Sequence, residues 1–259
     1  MFQLAISPCP NDTFIFEGWV TGCTPGPSIE TQFADVQSLN EGALASRWDV
    51  VKVSAGVVPR LHGYHVLQAG GAMGYGCGPL LLGSSSINFD PRVETWLPGQ
   101  DTTAAQLFHH WMRQRFPGVE PSTHYALFDE VYARLRSGNA RQGVVIHEHR
   151  FTWQRDGLRM YQDLGAYWES VTQMPIPLGV IVMRETLGAK QILAVDSAIR
   201  KSLEWAWNRV AFVSPFVSSH AQAMELDVME AHIRMFVNAF SRDPGTAGVN
   251  ALRALWKAQ

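Results

Sequence analysis

The stretch Ser7-Pro8-Cys9-Pro10-Asn11-Asp12-Thr13-Phe14-Ile15-Phe16 joins a first strand to a first helix. Residues 2–6, just before it, form a short and mostly apolar segment, as in a buried parallel strand. The two prolines exclude a helix until Asn11 or Asp12 can act as its N-cap. The first free amides of this helix then lie at the carboxyl end of the strand, where open α/β sheets bind anions. The pattern predicts a ligand site at this turn, with a merely well-capped turn as the alternative.

The composition indicates a compact globular protein. Of 259 residues, 46% are hydrophobic and only 17% are charged, below the ~25% typical of soluble domains. Such a chain forms one large domain or two lobes of roughly 100–150 residues, and either arrangement buries a sizeable core. The 21 basic and 23 acidic residues nearly cancel, and no run of Lys or Arg is present to neutralise phosphates. A nucleic-acid partner is therefore not expected.

The N-terminal residues and the cysteines predict a cytoplasmic protein. Residues 1–6 have neither the basic region nor the apolar length of an export signal. No later apolar run reaches the ~18 residues of a spanning helix, so no membrane partner is expected. Cys9, Cys23 and Cys77 are odd in number and widely spaced, which favours reduced thiols over disulfides or a metal knuckle.

Strand-like and helix-like segments alternate along the chain, which predicts an α/β protein with mainly parallel sheets. Strands are expected at residues 49–54, 65–68 and 78–82, the last of them after a segment with five glycines in residues 70–78. The spacing of these glycines is not that of the dinucleotide-binding or P-loop motifs. A polar segment, residues 83–92, then favours a crossing into a second lobe.

The second lobe repeats the arrangement of the opening segment. A strand over residues 93–97 and the turn Pro98-Gly99-Gln100-Asp101-Thr102-Thr103 lead into a helix that runs to about Arg115. A buried strand over residues 143–146 places His147 at its carboxyl end. Ligands bind at such strand ends in this class of fold.

The remaining residues return the chain to the first lobe. A strand is expected at residues 178–183, and apolar residues spaced by three and four from Ile192 to Val210 predict a helix, followed by another at residues 229–240. The predicted lobes are a larger one, residues 1–89 plus 179–259, and a smaller one, residues 90–178. Two α/β lobes joined by crossing strands, with a cleft between them, describe a periplasmic-binding-protein-like fold of type II.

His147-Glu148-His149-Arg150 is the densest group of titratable residues in the chain. An imidazole changes charge near neutral pH, so His147, fixed at a strand end, is a candidate general base. Glu148 points to the opposite face of a strand, whereas His149 returns to the face of His147 if the strand continues. The alternative for His147 is a histidine satisfied by backbone hydrogen bonds at the sheet edge. No metal is expected, because no third ligand stands at a suitable spacing.

Neutral hydrogen-bonding groups form the candidate binding set: the amides around Asn11 and the hydroxyls of Ser54, Thr102 and Thr103. Such groups suit a carboxylate or a polyol better than a phosphate, which normally calls for Arg or Lys. Lys52 and Arg150 are the nearest cations in the sequence, and each is either a source of charge for the ligand or a solvated rim residue. Cys9 lies near a helix N-terminus, which can lower a thiol pKa, but no base is evident in its local sequence.

Seven segments, in a consistent order, carry a family resemblance. They are Ser7 to Phe16, Gly70 to Pro79, Pro98 to Thr103, Ile146-His147-Glu148 with Arg150-Phe151-Thr152, Asp163 to Trp168, Pro175 to Gly179 and Val237 to Ser241. Together they resemble the 1,4-dihydroxy-6-naphthoate synthase family of the futalosine route to menaquinone. The resemblance covers nearly the whole chain, and its first and fourth segments are the most specific.

The resemblance implies a carbon–carbon lyase that converts cyclic dehypoxanthine futalosine, a small carboxylate, into 1,4-dihydroxy-6-naphthoate and dihydroxyacetone without a metal or an organic cofactor. It implies that His147 is the proton acceptor. The substrate-binding positions, with the opening turn included, are Asn11, Lys52, Val53, Ser54, Thr102 and Thr103. A retro-aldol-like cleavage driven by aromatisation fits these residues, and closure of the lobes would exclude water. Candidates for stacking on the ring system are Phe14, Phe16, Tyr75 and Trp168.

Two other functions stay open. Chorismate dehydratase shares this fold and pathway, and elimination of enolpyruvate from chorismate would identify it. A non-catalytic module that binds a small carboxylate would close on its ligand and release no product. The sequence does not predict an oligomeric state.

Overall fold

The structure, a computed structural model that describes residues 1–221 and 225–258, is built around two β-sheets. In chain order the strands are β1 (Phe2–Ile6), β2 (Ile29–Phe33), β3 (Val50–Ser54), β4 (Tyr64–Val66), β5 (Ala72–Gly74), β6 (Leu80–Ser84), β7 (Thr95–Leu97), β8 (Thr123–Tyr125), β9 (Gln142–Val145), β10 (Leu158–Asp163) and β11 (Ile176–Arg184).

Helices cover both sheets. They are α1 (Pro10–Val20), α2 (Val36–Leu44), α3 (Thr103–Arg115), α4 (Phe128–Ser137), α5 (His149–Thr152), α6 (Leu164–Thr172), α7 (Ala189–Asn208), α8 (Pro215–His220), α9 (Leu226–Phe236), α10 (Ala239–Arg242) and α11 (Gly245–Lys257), with 3-10 turns at Ala55–Arg60 and Glu185–Leu187. Across the described ranges, no helix combines the length and apolar character needed to cross a membrane.

Both sheets are mixed rather than mainly parallel, which corrects the prediction from the sequence. The first has the order β2-β1-β3-β11-β4, with β5 also paired to β11. Strand β1 runs parallel to β2 and β3, but β11 is antiparallel to β3, β4 and β5. The second sheet has the order β10-β6-β9-β7-β8, in which β6 is antiparallel to both neighbours. Strands β6 and β11 each enter a sheet from the other lobe, so no helical crossover within the same sheet forces them to be parallel.

The sheet pairing places strand β6 with the other lobe than the one predicted for it. Strand β6 pairs with β9 and β10 in the second sheet, although residues 1–89 were expected in the larger lobe. The chain therefore first crosses between the sheets after β5, and the polar residues 83–92 connect β6 to β7 within one sheet. The return crossing precedes β11, close to the predicted boundary at 178/179. The rest of the predicted division stays a prediction.

The opening turn forms a helix earlier than predicted. Cys9, with φ −62° and ψ 149°, is the N-cap of α1, and Pro10 is its first residue. Neither Asn11 nor Asp12 caps the helix, because proline is favourable at the first helical position, where no N–H is required. In the second lobe Thr102 does cap α3, since its Oγ1 accepts a hydrogen bond from the amide of Ala105 at 3.1 Å.

The predicted helix at residues 229–240 is two helices in the structure. Helix α9 ends at Phe236, and Asn238 caps α10 by accepting a hydrogen bond from the Phe240 amide at 2.9 Å. The Asn238 side chain also donates to the carbonyl of Met73 at 2.8 Å, which ties this break to β5. A side chain that caps a new helix and bonds another strand ends the previous helix.

The first crossing packs tightly against α6, and one substitution tests that packing. A Cβ on Gly78 would lie 2.3 Å from the Gly165 Cα and 2.5 Å from its nitrogen. We expect Gly78→Ala to lower the free energy of unfolding by about 1–3 kcal/mol, because backbone atoms must move apart. Thermal unfolding followed by circular dichroism measures the change. In the control Gly71→Ala, the added carbon meets the Gly179 carbonyl only at 3.3 Å, so equal losses in both variants would contradict this explanation.

Candidate active site

A cavity lies between the two sheets, where the carboxyl ends of β1, β3 and β9 meet the N-terminus of α3. It holds about 770 Å³ of space not filled by atoms, including its open mouth. The predicted proton acceptor and the six predicted substrate-binding residues all line it: His147, Asn11, Lys52, Val53, Ser54, Thr102 and Thr103. A cleft lined by apolar side chains and a few polar groups is typical of a small-molecule site.

His147 has an unusual backbone at the end of β9. Its φ is 56°, in the left-handed region that residues other than glycine rarely adopt. Strain of this kind costs about 1–2 kcal/mol and persists where the surrounding structure imposes it, often at functional sites. The ring is half-buried, packs edge-on against Phe128 at 4.9 Å between ring centroids, and stacks toward His232 at 6.1 Å. His147 is thus held at the cavity by packing on two sides.

Cys9 is the polar neighbour of His147. Its Sγ lies 3.8 Å from His147 Nδ1, although the two residues are 138 positions apart in the chain. Burial raises the pKa of the Cys9 thiol, so Cys9 faces the His147 ring as a neutral thiol rather than as a thiolate. The pKa of Cys9 is thus raised, whereas the nearby helix N-terminus alone would lower it. Burial likewise raises the pKa of Cys77, on the cavity wall, to about 12.

A buried carboxylate organises the opening turn. Asp12 Oδ2 accepts hydrogen bonds from the hydroxyl and the amide of Ser7 at 2.7 and 3.3 Å. Its Oδ1 accepts from Asn11 Nδ2 at 2.8 Å and from Lys52 Nζ at 2.7 Å. Lys52 also donates to the carbonyl of Gly70 at 3.0 Å. The lysine charge is therefore paired inside the protein, and the described residues leave one of its ammonium hydrogens for a ligand oxygen.

The predicted hydroxyl groups are largely engaged with the protein. Thr102 donates to the carbonyl of Gly99 at 2.9 Å while it caps α3. Thr103 accepts a hydrogen bond from the Gly56 amide at 3.0 Å and donates one to the Leu178 carbonyl at 2.9 Å. These bonds connect the start of α3 to the segment after β3 and to β11. Both threonines shape the site rather than offer free hydroxyls.

Ser54 differs from the two threonines. Asn40, a fully buried residue of α2, donates to Ser54 Oγ at 3.0 Å and accepts from the Ser54 amide at 2.8 Å. Within the described part of the chain, the Ser54 hydroxyl has no acceptor, so it can donate to a ligand. Sequence reasoning did not find Asn40.

Arg150 holds the first crossing in place. Its guanidinium donates to the carbonyls of Gly76 and Gly78 and pairs with Asp163 at 2.7 Å. The side chain also lines the cavity. Both cations at the site, Lys52 and Arg150, thus already have a carboxylate partner, and neither is a solvated rim residue.

Glu148 and His149, which follow His147, do not line the main cavity. Strand β9 ends at Val145 and α5 begins at His149, so His149 does not return to the face of His147 as an extended strand would require. Its ring stacks on Tyr132 at 3.8 Å, and Nε2 lies 2.9 Å from Asp129 Oδ1. Glu148 is buried, and among the described residues its Oε2 has no hydrogen-bond partner.

Among the described residues, one cluster could supply ligands to a metal ion: Asp129, Glu148 and His149. Each of the three offers one ligand atom, and these atoms lie within 4.8 Å of one another. Asp129 is exposed, and exposed acidic groups commonly cluster without an ion. The expectation that the site uses no metal stays a prediction.

The aromatic residues expected to stack on a ligand lie elsewhere. Phe14, Phe16 and Trp168 are fully buried in the cores, and Tyr75 is 58% exposed. None of them lines the main cavity, where Phe236 is the aromatic residue. An aromatic residue in a short apolar segment belongs to the core more often than to a site.

His232, on α9, is the cavity residue that sequence reasoning missed. It is 1% exposed, and neither ring nitrogen has a hydrogen-bond partner in the described residues. Burial, together with the charge that His147 carries when protonated, holds the pKa of His232 well below its usual range.

His232 makes the stability of the fold depend on pH in a defined direction. The unfolded chain protonates this imidazole below about pH 6.5, whereas the folded protein keeps it neutral to lower pH. Because the unfolded state binds the additional proton, the free energy of unfolding falls with falling pH, by up to about 1.4 kcal/mol per unit. Urea unfolding at pH 7 and pH 5 measures the loss. His232→Phe should lose less stability over this interval than the wild type, and an equal loss would contradict the assignment.

The fold and the cleft define the class of this protein: it is a two-lobed α/β protein with a periplasmic-binding-protein-like fold, as predicted. It superposes on the crystal structure of a protein from Archaeoglobus fulgidus with a TM-score of 0.91, at 24% identity over 99% of this chain and 96% of that one. It also superposes on the periplasmic aliphatic sulphonate binding protein from Escherichia coli, with a TM-score of 0.66, at 9% identity over 99% and 86% of the two chains. At these identities the likeness concerns the fold alone.

The chain belongs to the menaquinone biosynthesis family, whose sequence model matches residues 2–258. It is 40% identical over 256 residues to the 1,4-dihydroxy-6-naphtoate synthase of Streptomyces coelicolor, covering 98% of this chain and 90% of that protein. The protein of the same name from Thermus thermophilus is 37% identical over 256 residues, covering 98% and 92%. These relatives confirm the resemblance seen in the sequence.

Proposed function

We propose that this protein is a cytoplasmic carbon–carbon lyase that converts cyclic dehypoxanthine futalosine into 1,4-dihydroxy-6-naphthoate and dihydroxyacetone, with His147 as the proton acceptor. The observation that carries the proposal is the convergence of His147 and the predicted binding residues on one cavity. The names of the two relatives support the identity of the product.

The cavity walls suit a fused ring that carries a carboxylate. Apolar side chains make up much of the lining, among them Leu39, Ile146, Leu178 and Phe236. At one edge, the first residues of α3, Thr103 and Ala104, also line the cavity. Free amides and the dipole at a helix N-terminus favour a negative charge, so this edge is the place for the ligand carboxylate. Because Lys52 and Arg150 are already paired, a ligand with a single negative charge matches the site better than a phosphate.

His147 performs the proton transfer in this proposal. His147 acts as the tautomer with its hydrogen on Nδ1, the atom 3.8 Å from Cys9 Sγ, so that Nε2 accepts the proton of a substrate hydroxyl. The oxygen that loses the proton forms a carbonyl, the neighbouring carbon–carbon bond breaks, and its electron pair moves into the ring, where a carbonyl oxygen becomes a naphtholate. The protonated His147 then returns the proton to the naphtholate, which regenerates the base. Atoms and electrons balance without an external oxidant or reductant, in agreement with the expectation of no cofactor.

A turnover assay tests the proposal. The purified protein is incubated with cyclic dehypoxanthine futalosine in the presence of a chelator, and 1,4-dihydroxy-6-naphthoate is followed by chromatography. Product formation supports the metal-free lyase. Substrate that binds without being converted identifies a binding module. A parallel incubation with chorismate distinguishes the remaining enzyme, because release of enolpyruvate there would replace the proposal by a dehydratase.

A further inference from the structure

We infer that His232 is a second catalytic residue, whose imidazole N–H donates a hydrogen bond to the ring oxygen that takes up negative charge as the carbon–carbon bond breaks. The inference rests on the proposed function and adds a role that the family resemblance in the sequence does not assign.

The position of His232 is the first argument. Helix α9 places it on the wall of the same cavity that His147 lines. The two imidazole rings lie 6.1 Å apart between centroids, and their planes differ by 21°. Both residues thus contribute to the wall of one cavity, His147 from the end of β9 and His232 from α9.

The missing partners of His232 are the second argument. The residue is 1% exposed, and its surroundings include the rings of Phe151 and Phe236, at 6.4 and 4.6 Å between centroids. In the described part of the protein, neither nitrogen has a hydrogen-bond partner. A buried polar group without a partner destabilises the fold, and an apolar side chain would avoid this cost. A ligand oxygen would supply the missing partner, which explains why a histidine occupies an apolar position.

The charge state of His232 fits this role. Burial keeps it neutral, and a neutral imidazole has one N–H donor and one acceptor nitrogen. When His147 takes the substrate proton, its positive charge disfavours protonation of His232 still further. The two histidines thus divide the work: one accepts the proton, and the other stabilises the developing oxyanion by hydrogen bonding. Environments that separate the pKa values of two titratable groups are a common way to divide acid–base roles.

Substitutions separate this role from a structural one. His232→Phe removes the unpaired nitrogens but keeps a ring, so we expect equal or higher thermal stability than in the wild type. Its kcat should fall by about 100-fold or more, as after loss of one oxyanion donor, with little change in KM. His232→Gln restores an N–H donor and should retain more activity than the Phe variant. His149→Gln is the matched control, a nearby histidine outside the cavity, and should keep kcat within about threefold.

Nuclear magnetic resonance of the His232 imidazole gives a readout that does not depend on turnover. Addition of 1,4-dihydroxy-6-naphthoate to the wild type should shift the resonance of its N–H proton, and His232→Phe should lack this signal. If the wild type does not turn over the substrate but the signal responds, the proposed function fails and the ligand contact stands. If turnover occurs but both His232 variants keep kcat within about threefold, the inference is wrong. If His232→Phe does not fold, the rate of His232→Gln decides. A signal that does not respond to the ligand in the wild type also overturns the inference.

Discussion

We expect His147→Asn to lose most of its turnover while the protein still folds and binds its ligand. Asparagine has no group that accepts a proton at neutral pH, so kcat should fall by about 10²–10⁴-fold, the usual contribution of a general base. Asparagine also tolerates the left-handed backbone that His147 adopts at φ 56°, so the turn after β9 should keep its geometry. Stopped-time assays of product formation measure kcat, and titration with 1,4-dihydroxy-6-naphthoate measures binding.

A second variant at the same position separates chemistry from backbone strain. His147→Ala lacks the proton acceptor too, but alanine is less tolerant of a positive φ and leaves Phe128 without its ring contact. We expect equal loss of kcat in both variants and lower thermal stability only in the Ala variant. A rate in His147→Asn close to that of the wild type would reject the role of His147 as the base.

Lys52→Met has the largest expected effect on stability. Lys52 Nζ lies 2.7 Å from Asp12 Oδ1, and the two side chains are only 7% and 2% exposed. Removing the lysine leaves Asp12 as a buried charge without its counter-ion, which costs about 3–5 kcal/mol. Urea unfolding monitored by tryptophan fluorescence gives the change in the free energy of unfolding.

Two comparisons define what this loss means. In the double variant Lys52→Met with Asp12→Asn, the buried charge is gone, so part of the lost stability should return, and the double-mutant cycle gives the coupling energy. The ion pair between Arg242 and Glu204 is the exposed counterpart, with side chains 56% and 45% exposed. Arg242→Met should therefore cost only about 0–1 kcal/mol. Equal losses of stability in Lys52→Met and Arg242→Met would show that the buried Asp12 carboxylate does not need Lys52 as its counter-ion.

The parts of the site that the sequence predicted are those that local rules decide. An apolar segment followed by a polar turn predicts β1 and a helix after it, and β1 covers residues 2–6 as expected, although α1 begins at Pro10, before the predicted cap. The turn before α3 predicts a cap, and Thr102 provides it. His147 follows a buried strand, so its place at the edge of the cleft also follows from the sequence.

The rest of the site depends on contacts between distant residues. The pairing of Cys9 with His147 and of Asp12 with Lys52 spans 138 and 40 positions, and no local pattern encodes such distances. His232 gave a weak signal: it occupies the apolar face of α9, beside Met229 and Ile233. A polar residue at such a position indicates either a buried network or a site, and only the structure distinguishes them.

The left-handed backbone of His147 has a consequence for how this protein can evolve. A change of a single base converts a histidine codon into an asparagine codon, and asparagine accepts this backbone conformation. Under the proposed role of His147, this single mutation would end catalysis and leave the folded state and the cleft intact, so selection against unfolded protein would not remove it. Duplicated copies of such an enzyme would then have a direct route from turnover to ligand sensing.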